Sequence, residues 1–472
     1  MIRNVCCLCI SLVALATLRA QELTVGPLTA DQSSAIETIE ESKVLSTVVF
    51  LASDEMAGRN TPSIELDIAA AYVGARFQGA GLKGLGPEGS YFQTTELTQY
   101  APPRGSARIT ASETLVNTRG ILFGGESDCS VTGLVSDGKD LKAVAGKIVV
   151  IDEFPLPPQA VENAGMLAAA WARRIAPLAN GKAAAVLIRT AEDSLLPESV
   201  ERMKEKPLSL PPAFLFSCPV ILIAGDSELI GEISVEAPKR EAVATPVRNV
   251  IGVLRGSDPE RADEAIIISA HLDHIGQLSG DRQGDLINNG ADDNATGVTA
   301  VVSLADAFAK LPHSPRRSVV FMTFWGEEKG LLGSKYYAEN PLWPLEKTVA
   351  NINIEMIGRP EENAEGKSWG TGWTRSDLGQ QLAAGAQRVG VTIFHREDVS
   401  EMLYTRSDNY SFVQKGVIAH SYSAGSLHSD YHQPSDEVSK LNLPHMTKII
   451  RGLFAGALPI ADGELTPHKT AK

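Results

Sequence analysis

The sequence predicts an α/β protein: a mixed, mostly parallel sheet sandwiched by helices, with a smaller β-rich domain inserted into the chain. Three observations predict it. From Val247 onward, apolar runs of strand length alternate with segments of helical periodicity. Between about 119 and 245 the apolar runs are bounded by turn residues, and that stretch holds no histidine. The length of 472 residues, 43% apolar and 21% charged, suits two or three domains with cores of their own.

The elements follow in order. Met1 to Asn4 is a short basic start, followed by an apolar stretch from Val5 to Thr17 and a small residue at Ala20. This reads as a signal peptide over 1–20, cleaved near Ala20, and predicts a secreted or periplasmic mature chain. Cys6, Cys7 and Cys9 would leave with it. Cys129 and Cys218 would remain, either as one disulfide or as two free buried thiols. A first part of the main domain spans 21–118. Its clearest helix runs from Ile64 to Phe77, with acids in the first turn and Gly79 and Gly81 behind it. The inserted domain spans 119–245, with strands at 146–152, 183–188 and 220–224 and a helix at 161–178. The second part of the main domain spans 246–465. Strands are predicted at 250–254, 265–270, 318–324, 348–354 and 416–421, and helices at 295–311, 378–389 and 446–459.

Charge narrows the partners. Forty-three basic residues against 57 acidic ones give a net −14, the wrong sign for a nucleic-acid or anionic-membrane binder. No segment after the leader has eighteen apolar residues free of charge, so no membrane span is expected.

In a parallel sheet covered by helices, ligands bind beyond the carboxyl ends of the strands. Three of those ends carry metal-type donors: His271, Asp273 and His274; Glu327 and Glu328; and Glu355. Asp292 and Asp293 lie in a turn before a helix, and His428, Tyr431, His432 and Asp436 lie in a loop after the last strand. Mixed histidine and carboxylate donors without cysteine suit zinc, manganese or cobalt. Two histidines and at least three carboxylates exceed what one tetrahedral zinc accepts, which favours a metal pair sharing a carboxylate. Consecutive side chains diverge, so one of Glu327 and Glu328 can bind metal while the other serves as a base.

These segments resemble the co-catalytic double-zinc exopeptidases, the family of secreted bacterial aminopeptidases, glutamate carboxypeptidase and the transferrin receptor. The shared motifs are H-x-D, G-x-D-D-x-x-x-G, G-E-E-x-G-L-x-G-S, N-x-[DE]-M-I-G and D-Y-H-x-x-x-D, in family order across 271–436. Leu51 to Arg59 and Tyr91 to Gln93 also look like the start of this family, and the insert resembles its protease-associated domain. The resemblance implies the zinc exopeptidase fold and two Zn2+. His271 and Glu355 would hold one ion, Glu328 and His432 the other, and Asp292 would bridge them. It implies Glu327 as general base, Asp273 as the carboxylate orienting His271, Tyr431 as hydrogen-bond donor to the oxyanion, and a cis peptide between Asp292 and Asp293. Glu355 departs from the family's usual Asp.

The function implied is a secreted aminopeptidase that hydrolyses the N-terminal bond of a peptide substrate. A carboxypeptidase of the glutamate carboxypeptidase type and a one-zinc glutaminyl cyclase are the alternatives. His274, His420 and His428 are expected to support the site or lie at the surface, and Asp408 and Asp436 to fix loops through backbone hydrogen bonds. His313, His395, His445 and His468 are expected at the surface. The acceptor-like motifs at Asn294 and Asn409 would put a glycan beside the site and are taken as coincidental.

Overall fold

The computed structural model describes residues 23, 25–156, 164–205, 215–278, 284–425 and 427–470. The expected leader, with Cys6, Cys7 and Cys9, lies outside the described residues, as does the start of the helix expected at 161.

The apolar runs of the second half become the middle of a nine-stranded mixed sheet. Its centre is four parallel strands in the order Ser318–Phe324, Ala265–His271, Thr348–Ile354 and Ala419–Ser423. Antiparallel strands flank them: Glu241–Leu254 on one side, Lys367–Gly370 on the other. Helices cover both faces, so the central strands are buried throughout, which explains their unbroken apolar sequence. The last parallel strand begins three residues later than expected. Gly416, at φ 89°, closes the helix Asn409–Gln414 first, and the chain extends only afterwards.

Helix ends follow local chemistry. Ser63 accepts the Leu66 N–H and starts Ile64–Gly79, and Asn442 accepts the His445 N–H and starts Leu443–Ala461. The helix Gly297–Ala309 is apolar on nearly every side because it lies between the sheet and the C-terminal helix. Its Phe308 packs between Phe321 and Phe454, with ring centroids 6.0 and 4.6 Å away. His445, expected at the surface, is buried. It lies on the inner face of the C-terminal helix, where Nδ1 accepts the Gly366 N–H at 2.9 Å.

A second, eight-stranded sheet spans 108–237, beginning earlier and ending earlier than the 119–245 expected for the insert. It leaves the main sheet through one ribbon. Phe92–Ala101 pairs antiparallel with Glu241–Val250, so the chain departs and returns side by side. Cys129 and Cys218 are free thiols, and burial pushes the Cys218 thiol up to about 11. Among the described residues no helix is long and apolar enough to cross a membrane.

Candidate metal centre

Five chain-distant segments deliver the site to the carboxyl ends of the parallel strands. His271 is the last residue of its strand, and Glu355 directly follows Ile354. Glu327 and Glu328 follow Phe324 after a turn at Gly326, φ 68°. Asp293 sits in a tight turn entered through Gly290, at φ 58°, and left through a cis bond to Asn294. His432 comes from the loop after the strand Ala419–Ser423.

Their side-chain atoms form two adjoining groups, His271–Asp293–Glu355 and His274–Asp293–Glu328–His432. Asp293 belongs to both, one oxygen in each. Its Oδ1 lies 3.2 Å from His271 Nε2 and its Oδ2 lies 3.2 Å from His432 Nε2. His271 Nε2 is also 3.3 Å from Glu355 Oε2, and His432 Nε2 is 3.2 Å from Glu328 Oε2. Imidazole nitrogens and carboxylate oxygens this close, on side chains that are buried except for a partly exposed His432, are donors suited to divalent zinc. His432 Nε2 is buried without a hydrogen-bond partner among the described residues, which fits a ligand atom.

The structure corrects the expected bridge. Asp292 belongs to neither group, and the cis bond joins Asp293 to Asn294, one residue later than expected. Asp292 is turned inward, where Oδ1 accepts the Gly358 N–H at 2.8 Å and Oδ2 lies 3.2 Å from His428 Nε2. Asp436 takes the N–H groups of both Asp292 and Asp293, as its expected loop-fixing role requires. With Asp292 engaged in this way, Asp293 is left facing the histidines.

Asp273 is also placed differently. His271 Nδ1 lies 3.0 Å from the main-chain carbonyl of Asp273 but 3.8 Å from its carboxylate. The carboxylate instead accepts the Glu327 N–H at 3.0 Å and the Thr61 hydroxyl at 2.9 Å. It therefore positions Glu327, while the carbonyl orients the ring. Asp408 is fully buried, but no described backbone group donates to its carboxylate, contrary to expectation. Burial pushes that carboxyl up to about 7. Asn294 and Asn409 are both buried, so neither presents a glycan acceptor.

The sequence assigned no site role to Arg59 or Ser407, and placed His274 only in support of the site or at the surface. Arg59 is buried at 1% exposure and donates to the carbonyls of Leu51, Leu272, Asn289 and Gly290. It ties the turn carrying Asp293 to the end of the His271 strand. Ser407 donates to Glu355 Oε1 at 2.5 Å. His274 enters the second group itself. The only signals available for these were a buried-arginine position after a helix and a second histidine three residues beyond His271.

The electrostatics match a cation site. Desolvation alone would depress the buried His271, but Glu355 and Glu327 outweigh it and hold its pKa well above the usual histidine value. His432 is partly desolvated too, yet the adjoining carboxylates of Asp293 and Glu328 raise it to about 9. Burial pushes the Glu327 carboxyl well up, aided by Glu328, Asp408 and Glu355. Desolvation also works to raise the Glu328 carboxyl, but His274 and His432 overcome it and bring it down to about 2.

A cavity of about 200 Å³ opens beside the first group, with His271, Asp293, Glu327, Glu355 and Tyr431 on one wall. Met356, Trp369, Met402, Leu403 and Leu427 add apolar lining, and Arg406 adds a cation. The Tyr431 ring stacks on His432 with centroids 3.9 Å apart. Burial and the neighbouring carboxylates raise its phenol, which keeps it an O–H donor.

A mixed sheet between helices here carries, at its strand ends, a histidine–carboxylate centre suited to divalent metal. Residues 249–456 match peptidase family M28. The chain is 35% identical over 120 residues to a probable zinc metalloprotease of Pyrenophora teres f. teres, covering 25% of this chain and 24% of that protein. It is 22% identical over 202 residues to aminopeptidase YwaD of Bacillus subtilis, covering 41% of this chain and 40% of that one. The match thus spans about a quarter of the length of the first relative. The fold is similar to that of an aminopeptidase from Aneurinibacillus sp. strain AM-1, with TM-score 0.55 at 20% identity, covering 91% of this chain and 96% of that one.

Proposed function

We propose that the protein is a secreted di-zinc exopeptidase that removes N-terminal residues from peptides. The observation that carries this reading is the carboxylate of Asp293, shared by two donor groups beside a cavity that also holds Glu327. His271, Asp293 and Glu355 would hold one zinc, and Asp293, Glu328 and His432 the other. Bound zinc would supply Lewis acidity toward the peptide carbonyl and an attacking water.

The chain's own groups do the rest. The Glu327 carboxylate takes the proton of the attacking water and passes it to the leaving amine. Its raised pKa suits that transfer, since two nearby cations would draw it back toward neutrality. The Asp273 carboxylate holds the Glu327 backbone in place. The Tyr431 phenol donates to the developing oxyanion. The carboxylates on the cavity wall favour the ammonium of a free N-terminus, and the apolar lining favours an apolar first side chain.

Glu327→Gln should leave the zinc content unchanged and lower turnover by about 100-fold or more. Near-normal activity in that variant would overturn the assignment of the base. A carboxypeptidase reading is favoured by one observation, Arg406 at the cavity wall. Comparing a free peptide with its N-acetylated and C-amidated forms decides between the two. Loss on N-acetylation supports the aminopeptidase, and loss on C-amidation supports the carboxypeptidase. Two donor groups argue against a one-zinc cyclase, which metal analysis tests directly.

A further inference from the structure

The two donor groups are not equivalent. One has three protein donors and faces the cavity: His271, Asp293 and Glu355 all line it. The other has four candidate donors, and of these only Asp293 reaches the cavity wall; His274, Glu328 and His432 do not line it. The extra member is His274, a position that the family motifs leave without a ligand role.

We propose that His274 is the fourth protein donor of the second group, through Nδ1. His274, Asp293, Glu328 and His432 would then enclose one zinc, while the first group alone keeps an open side for substrate. The inference rests on the two-metal reading above.

Geometry carries it. The donor atoms of the four residues all lie within 4.8 Å of one another. His274 Nδ1 is 2.9 Å from Glu328 Oε1 and 3.8 Å from Asp293 Oδ2. The ring is completely buried, at 0% exposure, and stands edge-on to His432 with centroids 5.4 Å apart. It is also fixed in position. The His274 N–H donates to the Arg59 carbonyl, and the turn leading to Asp293 presses against the ring from the other side. At Gly290 an added Cβ would come within 2.5 Å of His274 Cγ, so only glycine lets the turn close on the imidazole. The packing thus aims Nδ1 at the two carboxylates.

Chemistry then separates the two groups. Zinc closed by four protein donors is the usual arrangement of a structural site, and three donors with an open position that of a catalytic one. A second group closed by His274 would bind its ion tightly and leave Glu327 to work against the first.

Zinc-edge X-ray absorption and chelator-competition titration of the full-length zinc-loaded protein test this. If His274 ligates, the wild-type protein binds two zincs sharing three imidazoles: His271, His432 and His274. His274→Gln and His274→Ala should then lose one imidazole. They should also weaken one zinc by more than the about 10–100-fold that loss of an outer hydrogen-bond partner costs. His432→Ala should weaken that same zinc, and His271→Ala the other. Two zincs with only two imidazoles in the wild type would overturn the inference while leaving the two-metal reading intact. So would a folded His274→Gln variant with an unchanged imidazole count. One zinc or none in the wild type would overturn both. The wild-type imidazole count needs no variant, so the test survives a substitution that fails to fold.

Discussion

Arg59 offers the sharpest test of how the site is held. Its guanidinium is buried and donates to four main-chain carbonyls: Leu51, Leu272, Asn289 and Gly290. Burial brings its pKa down to about 10, still cationic at neutral pH, with Asp273, Asp293, Asp436 and Glu328 supplying the counter-charge. In Arg59→Met the apolar stem is kept and the donors are lost. Gly290 retains the Ala295 N–H as a partner, which leaves the carbonyls of Leu51, Leu272 and Asn289 to be made good. Each buried carbonyl without a donor costs about 1–3 kcal/mol. Relief of the desolvated charge offsets part of this, and the expected loss is about 3–5 kcal/mol. Arg59→Lys keeps the charge but not the planar fork, and should fall between wild type and Met. Urea unfolding followed by circular dichroism measures it. Because the eight-stranded unit has its own core, only the transition of the larger unit should move. Since Asn289 and Gly290 lead into Asp293, zinc affinity should fall alongside. A Met variant within about 1 kcal/mol of wild type would refute the idea that one side chain ties these loops together.

Three further outcomes are expected. Asp293→Asn should lose bound zinc at both positions while Asp292→Asn retains it, as metal analysis would show; the reverse pattern would return the bridge to Asp292. Phe308→Ala opens a cavity between Phe321 and Phe454 and should lower unfolding free energy by about 3–5 kcal/mol, with zinc content unchanged. Burial holds His445 down at about 4, below its unfolded value near 6.5, so its contribution is complete above pH 6.5 and is lost as pH falls toward 4. His445→Asn keeps an acceptor for the Gly366 N–H and should flatten stability over that window by up to about 3 kcal/mol relative to wild type, measured as Tm against pH.

The fold was legible where periodicity and burial coincide. Ala265 to Ala270 and Ser318 to Phe324 are unbroken apolar runs because helices cover both faces of the sheet, and such runs announce a buried parallel strand. Limits were less legible, since they depend on single residues. At Gly416 one left-handed residue delays a strand, and at Arg108 a four-residue strand with only Ile109 and Ala111 facing inward joins the second sheet, too short a pattern to mark a boundary.

The site shows the same division between residue type and residue direction. That histidines and carboxylates gather at the strand ends follows from topology, and sequence order suffices to see it. Which of two adjacent carboxylates faces inward does not follow. Asp292 and Asp293 are chemically identical, and their roles are set by partners far along the chain: Gly358, which takes the Asp292 carboxylate, and Asp436, which takes both backbone N–H groups. Asp273 makes the same point from the other side. Its spacing from His271 suits a carboxylate behind an imidazole, but Thr61 and the Glu327 N–H reach that carboxylate first, leaving the carbonyl to hold the ring. Both displacements have one cause. A buried carboxylate accepts hydrogen bonds wherever backbone donors lack a partner, so its direction is decided by the donors around it. The backbone donors that decide here, the N–H groups of Glu327 for Asp273 and of Gly358 for Asp292, lie 54 and 66 residues away along the chain, beyond the reach of any local pattern.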